Sequence, residues 1–376
     1  MRTKPEIFDV AIVGAGILGI AHAYLLSRQG KRVVVLERGP AAQGASVRNF
    51  GMVWPIGQPP GELRDIALRS RALWLEFLGE SKIWHRPCGS LHLAYASDEL
   101  AVLEAFVRQV ENLDYRLQIL TPNEAMEKVP AIRAQELQGA LWSPDELCVF
   151  PRQVIASAPA FLSENYDVEF RFNTAVTQIE PGHLIAAGRE LRAESIYLCT
   201  GDDFETLFPE SFASSGLTRC KLQMLRARPK EPLELACHLC AGLTLAHYGN
   251  YAVTPGLEAL VERFWKCWPE QMRHGIHLLV SQHADGALTI GDSHRYGLNV
   301  DPFLDEMIDR LILAYLDTFL PVENLEVIER WYGVYAKHPE LPYWRAEPMP
   351  GVKVLTGVGG AGMTLSFGLA ERHIFG

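Results

Sequence analysis

Residues 9–37 read DVAIVGAGILGIAHAYLLSRQGKRVVVLE, and this stretch decides the fold. An apolar run, Val10 to Val13, predicts a strand. It ends in Gly14-Ala-Gly16-Ile17-Leu18-Gly19, a helical pattern follows, and a second apolar run, Val33 to Leu36, closes on Glu37 with Arg38 beside it. Strand, glycine turn, helix and strand in this order make the unit that holds the ADP half of a dinucleotide. Gly14 allows the tight turn. Gly16 lets a pyrophosphate approach the backbone at the helix N-terminus, and Gly19 lets the helix pack closely on the strand. Glu37, roughly 20 residues on, is placed to accept hydrogen bonds from a ribose. A membrane span or signal peptide is a poor reading of 7–26. Asp9 and His22 interrupt the run, glycines sit at its centre, and no basic leader with a small-residue cleavage site is evident.

The rest of the composition fits one large domain or two. The chain has 376 residues, 48% of them hydrophobic, which suffices for a sizeable core. A formal net charge of −10 without a long basic run argues against nucleic acid or an anionic membrane as partner. The seven cysteines are dispersed, an odd set that suggests reduced thiols and a cytoplasmic home. Cys237-His-Leu-Cys240 is a single close pair, so a four-cysteine zinc site has no second half, and ordinary buried thiols are expected.

Beyond the opening unit comes a polar loop, Ala41 to Pro60, then helical spacing over 63–78 and 98–113 and a strand from Ser90 to Tyr95. Thr121-Pro-Asn-Glu124 has the form of a capping box with Pro at the first helical position. Strand formers fill 167–181, a strand over 189–201 ends in Leu198-Cys-Thr200-Gly201, and 219–293 reads mostly as strand. A helix is expected over 302–319. The chain closes with a strand, Val352 to Thr356, then Gly357-Val-Gly359-Gly360-Ala-Gly362 and a helix start. The expected fold is α/β. A discontinuous Rossmann-like nucleotide domain takes 1–80, 146–215 and 331–376. A strand-rich α+β substrate domain takes 81–145 and 216–330, with the ligand cleft between them.

Three later features sit with the first motif: Gly44-Ala-Ser46-Val-Arg48-Asn49-Phe-Gly51, Leu198-Cys-Thr200-Gly201 and the glycines of 357–362. Together they resemble the FAD-dependent D-amino-acid oxidase superfamily, the branch of glycine oxidase and monomeric sarcosine oxidase, over nearly the whole chain. The resemblance implies FAD. Ser46, Arg48, Asn49, Gly51 and Met52 would run along the flavin. Val176, Thr200 and Gly201 would lie by the ADP moiety. Gly359, Gly360, Gly362, Met363 and Thr364 would bring N–H groups and a helix N-terminus to the flavin ring, whose reduced form carries negative charge.

The departures from the family pattern matter as much. Trp331-Tyr-Gly333-Val-Tyr335 corresponds to the family's Trp-x-Gly-x-Arg strand, so the carboxylate-gripping arginine is here Tyr335. The sarcosine oxidases' carboxylate-binding lysine corresponds to Thr364, their flavin-tethering cysteine to Gly333, and their oxygen-activating lysine to Thr289. FAD is therefore expected to be non-covalent. Losing a bidentate arginine removes the natural partner of a planar carboxylate. The pattern resembles the branch encoded among phosphonate-degradation genes, on Ser46 to Pro55, Gly291-Asp-Ser-His294 and Trp331 to Tyr335. That implies an aminoalkylphosphonate, N-methylated or not, oxidised at the carbon bearing nitrogen.

The expected chemistry is hydride transfer from that carbon to flavin N5, then hydrolysis of the imine to an aldehyde. Candidates for the substrate anion are Lys337 and His338, with Arg48 in the flavin loop and the Tyr335 hydroxyl. His247, Tyr248, Tyr251 and His294 are candidates to line the cleft. Each has a plainer reading, as a solvated lysine, a loop-structuring arginine or a packed aromatic, and Trp54 reads as core. No metal is expected, and a Ser-His-Asp hydrolase lacks its nucleophile elbow. Two alternatives stay open: a D-amino acid, glycine or sarcosine oxidase or dehydrogenase, and a non-catalytic FAD-binding subunit. The acceptor is oxygen or another molecule.

Overall fold

The computed structural model describes residues 6–376. The opening unit forms as its sequence requires: β1 (Glu6–Val13), α1 (Ile17–Ser27) and β2 (Val33–Leu36). β1 is flanked by parallel partners, β2 on one side and Arg189–Leu198 on the other. A strand paired on both edges and covered on both faces reads as a continuous apolar run, and Val10 to Val13 and Val33 to Leu36 are all buried. Eight strands make this sheet. From one edge run Val176–Glu180, His183–Ala186, Arg189–Leu198, β1, β2 and Glu169–Arg171. The Arg189–Leu198 strand is long enough to pair twice along the same edge. Its first residues meet His183–Ala186 antiparallel and its last meet Val352–Thr356 in parallel.

α1 packs against the C-terminal helix Gly362–Phe375, which also crosses Glu62–Ser81. Gly368 makes that crossing close, since a Cβ there would sit 2.4 Å from the Ile66 carbonyl oxygen. Trp74, Phe77, Tyr24 and Phe367 fill the space between the helices, each buried. Burying side chains of this size contributes roughly 1.5–3 kcal/mol apiece.

The second sheet has nine strands, and its own core holds Leu91, Phe106, Leu239, Tyr251, Phe264 and Ile290. Its longest pair is antiparallel, Thr218–Pro229 with Leu325–Lys337, the register setting Cys220 against Tyr335 and Leu222 against Gly333. The expected boundary at 331 thus falls inside a strand that belongs to this second sheet for its whole length, because its backbone groups pair with Thr218–Pro229. The strand ends at the nucleotide side: Lys337 bridges to Val358 in the glycine loop. Met52–Val53, Leu147–Val149 and His85–Pro87 form a third, three-stranded sheet.

Several segments differ from the reading of the sequence. The span 219–293 is broken by the helices Leu257–Cys267 and Pro269–Arg273, and the helix expected over 302–319 runs only Glu306–Leu316, where the Asp305 side chain caps it. Pro151–Tyr166 is a helix despite Pro159. The Thr121 capping box forms, with hydrogen bonds in both directions between Thr121 and Glu124. The seven cysteines are free thiols, six buried and Cys267 exposed, so Cys237 and Cys240 are unbridged. Among the described residues no helix is long and apolar enough to cross a membrane.

Candidate active site

Two adjoining cavities, of about 560 and about 470 Å³, share the walls Ile17, Ser46, Arg48, Tyr335, Gly359 and Gly362 and so make one long cleft. The first lies over the glycine turn of α1. Gly14 has φ 104°, and a Cβ on it would sit 2.5 Å from the Cys199 oxygen. A Cβ on Gly19 would meet the Gly14 oxygen at 1.9 Å, so the helix can lie on the turn only with glycine there. Gly16, the N-cap of α1, offers no side chain of its own and lines the cavity. Glu37 closes the turn from the far side: one carboxylate oxygen accepts from Ala15 N at 3.0 Å and the other from Gly39 N at 2.9 Å. Ser46 reaches in from the following loop and accepts from Ile17 N at 3.0 Å.

The other residues expected around the ADP moiety stand on the same wall. Leu18, Arg38, Val176, Thr200 and Gly201 all line the first cavity. Arg38 is exposed and pairs with Asp203 at 2.6 Å, and the Gly201 carbonyl accepts from the Thr356 hydroxyl at 2.6 Å. Two expected residues do not reach either cavity. Gly19 works behind the turn. Gly51, φ 70°, presses on Val149, where a Cβ would fall 2.0 Å from the carbonyl oxygen. Asn49 lines the second cavity while shaping the loop: its amide donates to the Ala45 and Ser46 carbonyls and its oxygen accepts from Gly51 N.

The second cavity is floored by the glycine loop and the start of the C-terminal helix, with Gly360, Gly362, Met363 and Thr364 on its wall. Thr364 is not a free group, since its hydroxyl accepts from Trp54 N at 2.9 Å. Met52, Trp54, Leu222, Met224 and Leu279 make much of the wall apolar. Trp54 stacks on His92 at 5.3 Å, as a core residue does.

The strand Leu325–Lys337 supplies the polar groups. Side chains alternate along a strand, so Gly333, Tyr335 and Lys337 share a face, and all three line this cavity. Burial first, then the neighbouring Cys220 and Asp292, push the Tyr335 hydroxyl well above its ordinary range, so it stays protonated. Lys337 lies over the Tyr296 ring at 5.3 Å and makes no salt bridge among the described residues. Arg48 holds the Tyr332 carbonyl at 3.3 Å and faces both cavities. His338 is also on the wall, but its Nδ1 accepts from Glu340 N and Leu341 N and caps a turn.

Close to Lys337, whose charge bears on His247 and His294, stands a group only partly legible in the sequence. His247, His277 and His294 line the cavity as a stack of rings, His247 on His277 at 3.7 Å and His277 on His294 at 5.1 Å between centroids. His277 carries no signal of its own in the sequence, and Asp292 enters it only within Gly291-Asp-Ser-His294. Nothing local announces this cluster, because strand pairing in the second sheet brings its members together. Burial holds His294 down at about 4 and pushes Asp292 well above the usual carboxylate range. Tyr251 does not reach either cavity. It is fully buried, and its hydroxyl meets His92 Nδ1 at 2.9 Å.

The match to known proteins follows this geometry. Residues 9–373 fit the family model described as FAD dependent oxidoreductase, and the chain belongs to that family. Among curated relatives it is 28% identical over 211 residues to glycine oxidase of Geobacillus kaustophilus, covering 52% of this chain and 54% of that one. It is 23% identical over 246 residues to D-amino acid dehydrogenase of Helicobacter pylori, covering 51% and 60%. The chain spans about half the length of these relatives, and less of some others. Among solved structures, glycine oxidase from Geobacillus kaustophilus superposes with a TM-score of 0.78 at 23% identity, covering 98% of this chain and 95% of that one. An L-alpha-glycerophosphate oxidase from Mycoplasma pneumoniae with FAD bound superposes at 0.76 with 18% identity, covering 98% and 94%.

The protein is thus an FAD-dependent oxidoreductase of the D-amino-acid oxidase superfamily. The cleft fits its cofactor: the glycine turn, the N-terminus of α1 and the acceptor Glu37 suit an ADP moiety, and the second cavity continues from it past Arg48.

Proposed function

We propose that the protein oxidises the C–N bond of a small amine whose anionic end is a phosphonate, with an N-alkylated aminoalkylphosphonate as the leading substrate. The observation that carries this is the polar face of Leu325–Lys337. A tyrosine stands at 335 in the place of a carboxylate-gripping arginine, and Lys337, two residues on, is a cation on the same wall with no carboxylate at ion-pair distance among the described residues. A tetrahedral dianion needs point charges and donors from several directions. It does not need the planar fork that matches a carboxylate. Lys337, the Tyr335 hydroxyl and Arg48 supply such a set.

FAD held in the cleft would supply the hydride acceptor, and the protein supplies orientation and desolvation. The apolar wall of Met52, Trp54, Leu222 and Leu279 disfavours an ammonium and keeps the substrate amine neutral, so its lone pair can assist loss of the hydride. Water then hydrolyses the imine to an aldehyde and an amine. We also propose that FAD is held without a covalent bond. Position 333 is glycine, and no cysteine lines the second cavity among the described residues. Oxygen is expected to be a slow acceptor. Thr289 is buried against His283, and burial holds that imidazole at about 4, neutral at pH 7.

A second reading has its own support in the relatives named glycine oxidase and D-amino acid dehydrogenase: an amino-acid substrate whose carboxylate is held by Arg48 and Lys337. Anaerobic titration with aminophosphonates and with glycine, sarcosine and D-alanine separates the two. Reduction of the flavin by the phosphonates supports the first. Reduction by the amino acids alone overturns it. A tightly bound FAD that no amine reduces would mark a non-catalytic subunit.

A further inference from the structure

We propose that Glu146 is a positioning residue for the second cavity: by two hydrogen-bonded routes it fixes the Trp54 indole on the cavity wall, and its proton state tunes how tightly an amine is held there. The part about the amine rests on the amine-oxidising reading above, not on the identity of the anion. The hold on Trp54 rests on neither.

Glu146 is fully buried, just ahead of the strand Leu147–Val149. Its carboxylate serves the loop that carries Trp54 twice over. Oε1 accepts from Ile56 N at 3.3 Å, which pins the backbone two residues past the indole. Trp54 N itself donates to the Thr364 hydroxyl at 2.9 Å, so the loop is tied both to Glu146 and to the C-terminal helix. Oε2 accepts from the Ser90 hydroxyl at 2.9 Å, Ser90 Oγ meets His92 Nε2 at 3.1 Å, and His92 Nδ1 meets the Tyr251 hydroxyl at 2.9 Å. The His92 ring held in this way stacks on the Trp54 indole, with centroids 5.3 Å apart. The edge of the indole presses on Gly57, where a Cβ would fall 2.3 Å from Trp54 Cδ1. Ser90, His92 and Tyr251 are buried with Glu146 behind the wall, whereas Trp54 and Gly57 line the second cavity.

One proton reverses this chain. With Glu146 ionised, Ser90 donates to it, His92 Nε2–H donates to Ser90, and Tyr251 donates to His92 Nδ1. The protonated state has one more hydrogen. Ile56 N–H occupies Oε1, so that hydrogen sits on Oε2 and every bond points the other way. Glu146 donates to Ser90, Ser90 to His92 Nε2, and the ring, now protonated on Nδ1, to Tyr251. A carboxylate accepts more strongly than a neutral carboxyl, so the ionised form holds the Ile56 backbone and the His92 ring more firmly.

The neighbours place this change near neutral pH. Burial raises Glu146 to about 7, against the pull of the Ser143 and Ser90 hydroxyls, and Asp145 adds to the rise. Asp145 is itself paired with Arg116 and lies 3.9 Å from Arg64. Burial pushes the Cys88 and Cys237 thiols up to about 12 and Cys240 well above its ordinary range, so all three stay neutral. Of the rings packed against Trp54, burial holds His92 and His238 at about 3 and keeps the Tyr248 hydroxyl protonated, as it does Tyr251 behind them. A titration near pH 7 felt at Trp54 therefore belongs to Glu146.

The test uses the FAD-loaded protein labelled with 5-fluorotryptophan, the Trp54 resonance being assigned from Trp54→Phe. That resonance should move between pH 6 and 8 with its midpoint near 7. It should stay fixed in Glu146→Gln, whose amide holds the protonated arrangement. Ser90→Ala cuts the route to His92 and spares the Ile56 bond, so it should shrink the shift at least about twofold. A wild-type resonance that stays fixed, or one that moves as far in either variant, overturns the hold on Trp54. The effect on the amine is read from the Kd of N-methyl-2-aminoethylphosphonate and of sarcosine, by perturbation of the flavin spectrum. Dividing the Glu146→Gln value by the wild-type value cancels the titration of the ligand. The ratio should be about 3–10 at pH 8 and approach 1 at pH 6, with the limiting rate of flavin reduction unchanged. A ratio that does not vary with pH overturns that part. If neither ligand perturbs or reduces the flavin, the amine reading fails while the fluorine titration still decides the role of Glu146 at Trp54.

Discussion

Tyr335 and Lys337 stand two residues apart on one face of a strand, and the substrate assignment turns on them. Lys337→Met keeps the length of the side chain and removes its charge. A charge-assisted hydrogen bond contributes about 1.5–3 kcal/mol, so the Kd of an aminophosphonate should rise roughly 10–100-fold. The flavin spectrum should not change. Substrate titration of the variant checks this, and an unchanged Kd would return Lys337 to the role of a solvated lysine. At the same scale, acid precipitation should release FAD into the supernatant, since the wall of the second cavity has glycine at 333 and no thiol among the described residues. Yellow colour left in the pellet would contradict that.

Individual residues were legible in the sequence where their chemistry is local. Gly14, Gly16, Gly19 and Glu37 occupy one continuous unit, and the structure places them around one turn. Thr364 and His338 show the limit. Each lies on the cavity wall, but Trp54 N takes up the Thr364 hydroxyl and the 340–341 turn takes up one nitrogen of His338. The Thr364 partner comes from a distant part of the chain, and the His338 partners depend on a local turn that no motif marks.

At the scale of elements, the most exacting contact is α1 against the end of β1. A methyl group on Gly19 would lie 1.9 Å from a backbone oxygen, so Gly19→Ala must push the helix off the turn. The expected outcome is loss of FAD at ordinary protein concentration, read as a colourless protein after gel filtration. A yellow, fully loaded variant would refute the packing argument. Thr121→Ala is the milder case. It removes a capping box at the surface and should lower stability by about 1 kcal/mol, with FAD content unchanged. The missed helix Leu257–Cys267 carries Leu257, Leu260, Val261, Phe264 and Trp265 at helical spacing, but it lies among strand-forming runs that hide the period. The Leu325–Lys337 strand was placed by resemblance near the flavin. Its membership of the second sheet comes from long-range pairing that no local pattern records.

At the scale of the molecule, burial of neutral histidines sets the response to acid. Burial holds His22 and His283 at about 4, and His92, His238 and His373 at about 3, below the ordinary 6.5. Unfolded, these rings take up protons near pH 6.5, whereas folded they resist until pH 4 or below. Stability is therefore full above about pH 6.5 and falls as the pH drops toward 4, with a slope of up to about 1.4 kcal/mol per unit for each ring. Glu146 works in the opposite sense. Desolvation raises it to about 7, so its contribution is present below 4.5 and lost as the pH rises through 7. With His247, His277 and His294, which burial also lowers, eight rings outnumber the raised carboxyls Glu146, Asp202, Asp292 and Asp309, and Tm should fall steadily from pH 6.5 to 4.5. A flat profile over that window would mean the imidazoles are less enclosed than the structure has them.

The central claim is that this flavoprotein takes electrons from an amine bearing a phosphonate. The most direct measurement is anaerobic: the oxidised protein is mixed separately with N-methyl-2-aminoethylphosphonate, 2-aminoethylphosphonate, glycine, sarcosine and D-alanine, and the long-wavelength flavin band is followed. The account predicts bleaching by the phosphonates and none by the amino acids. Bleaching by glycine, sarcosine or D-alanine with the phosphonates inert would contradict it.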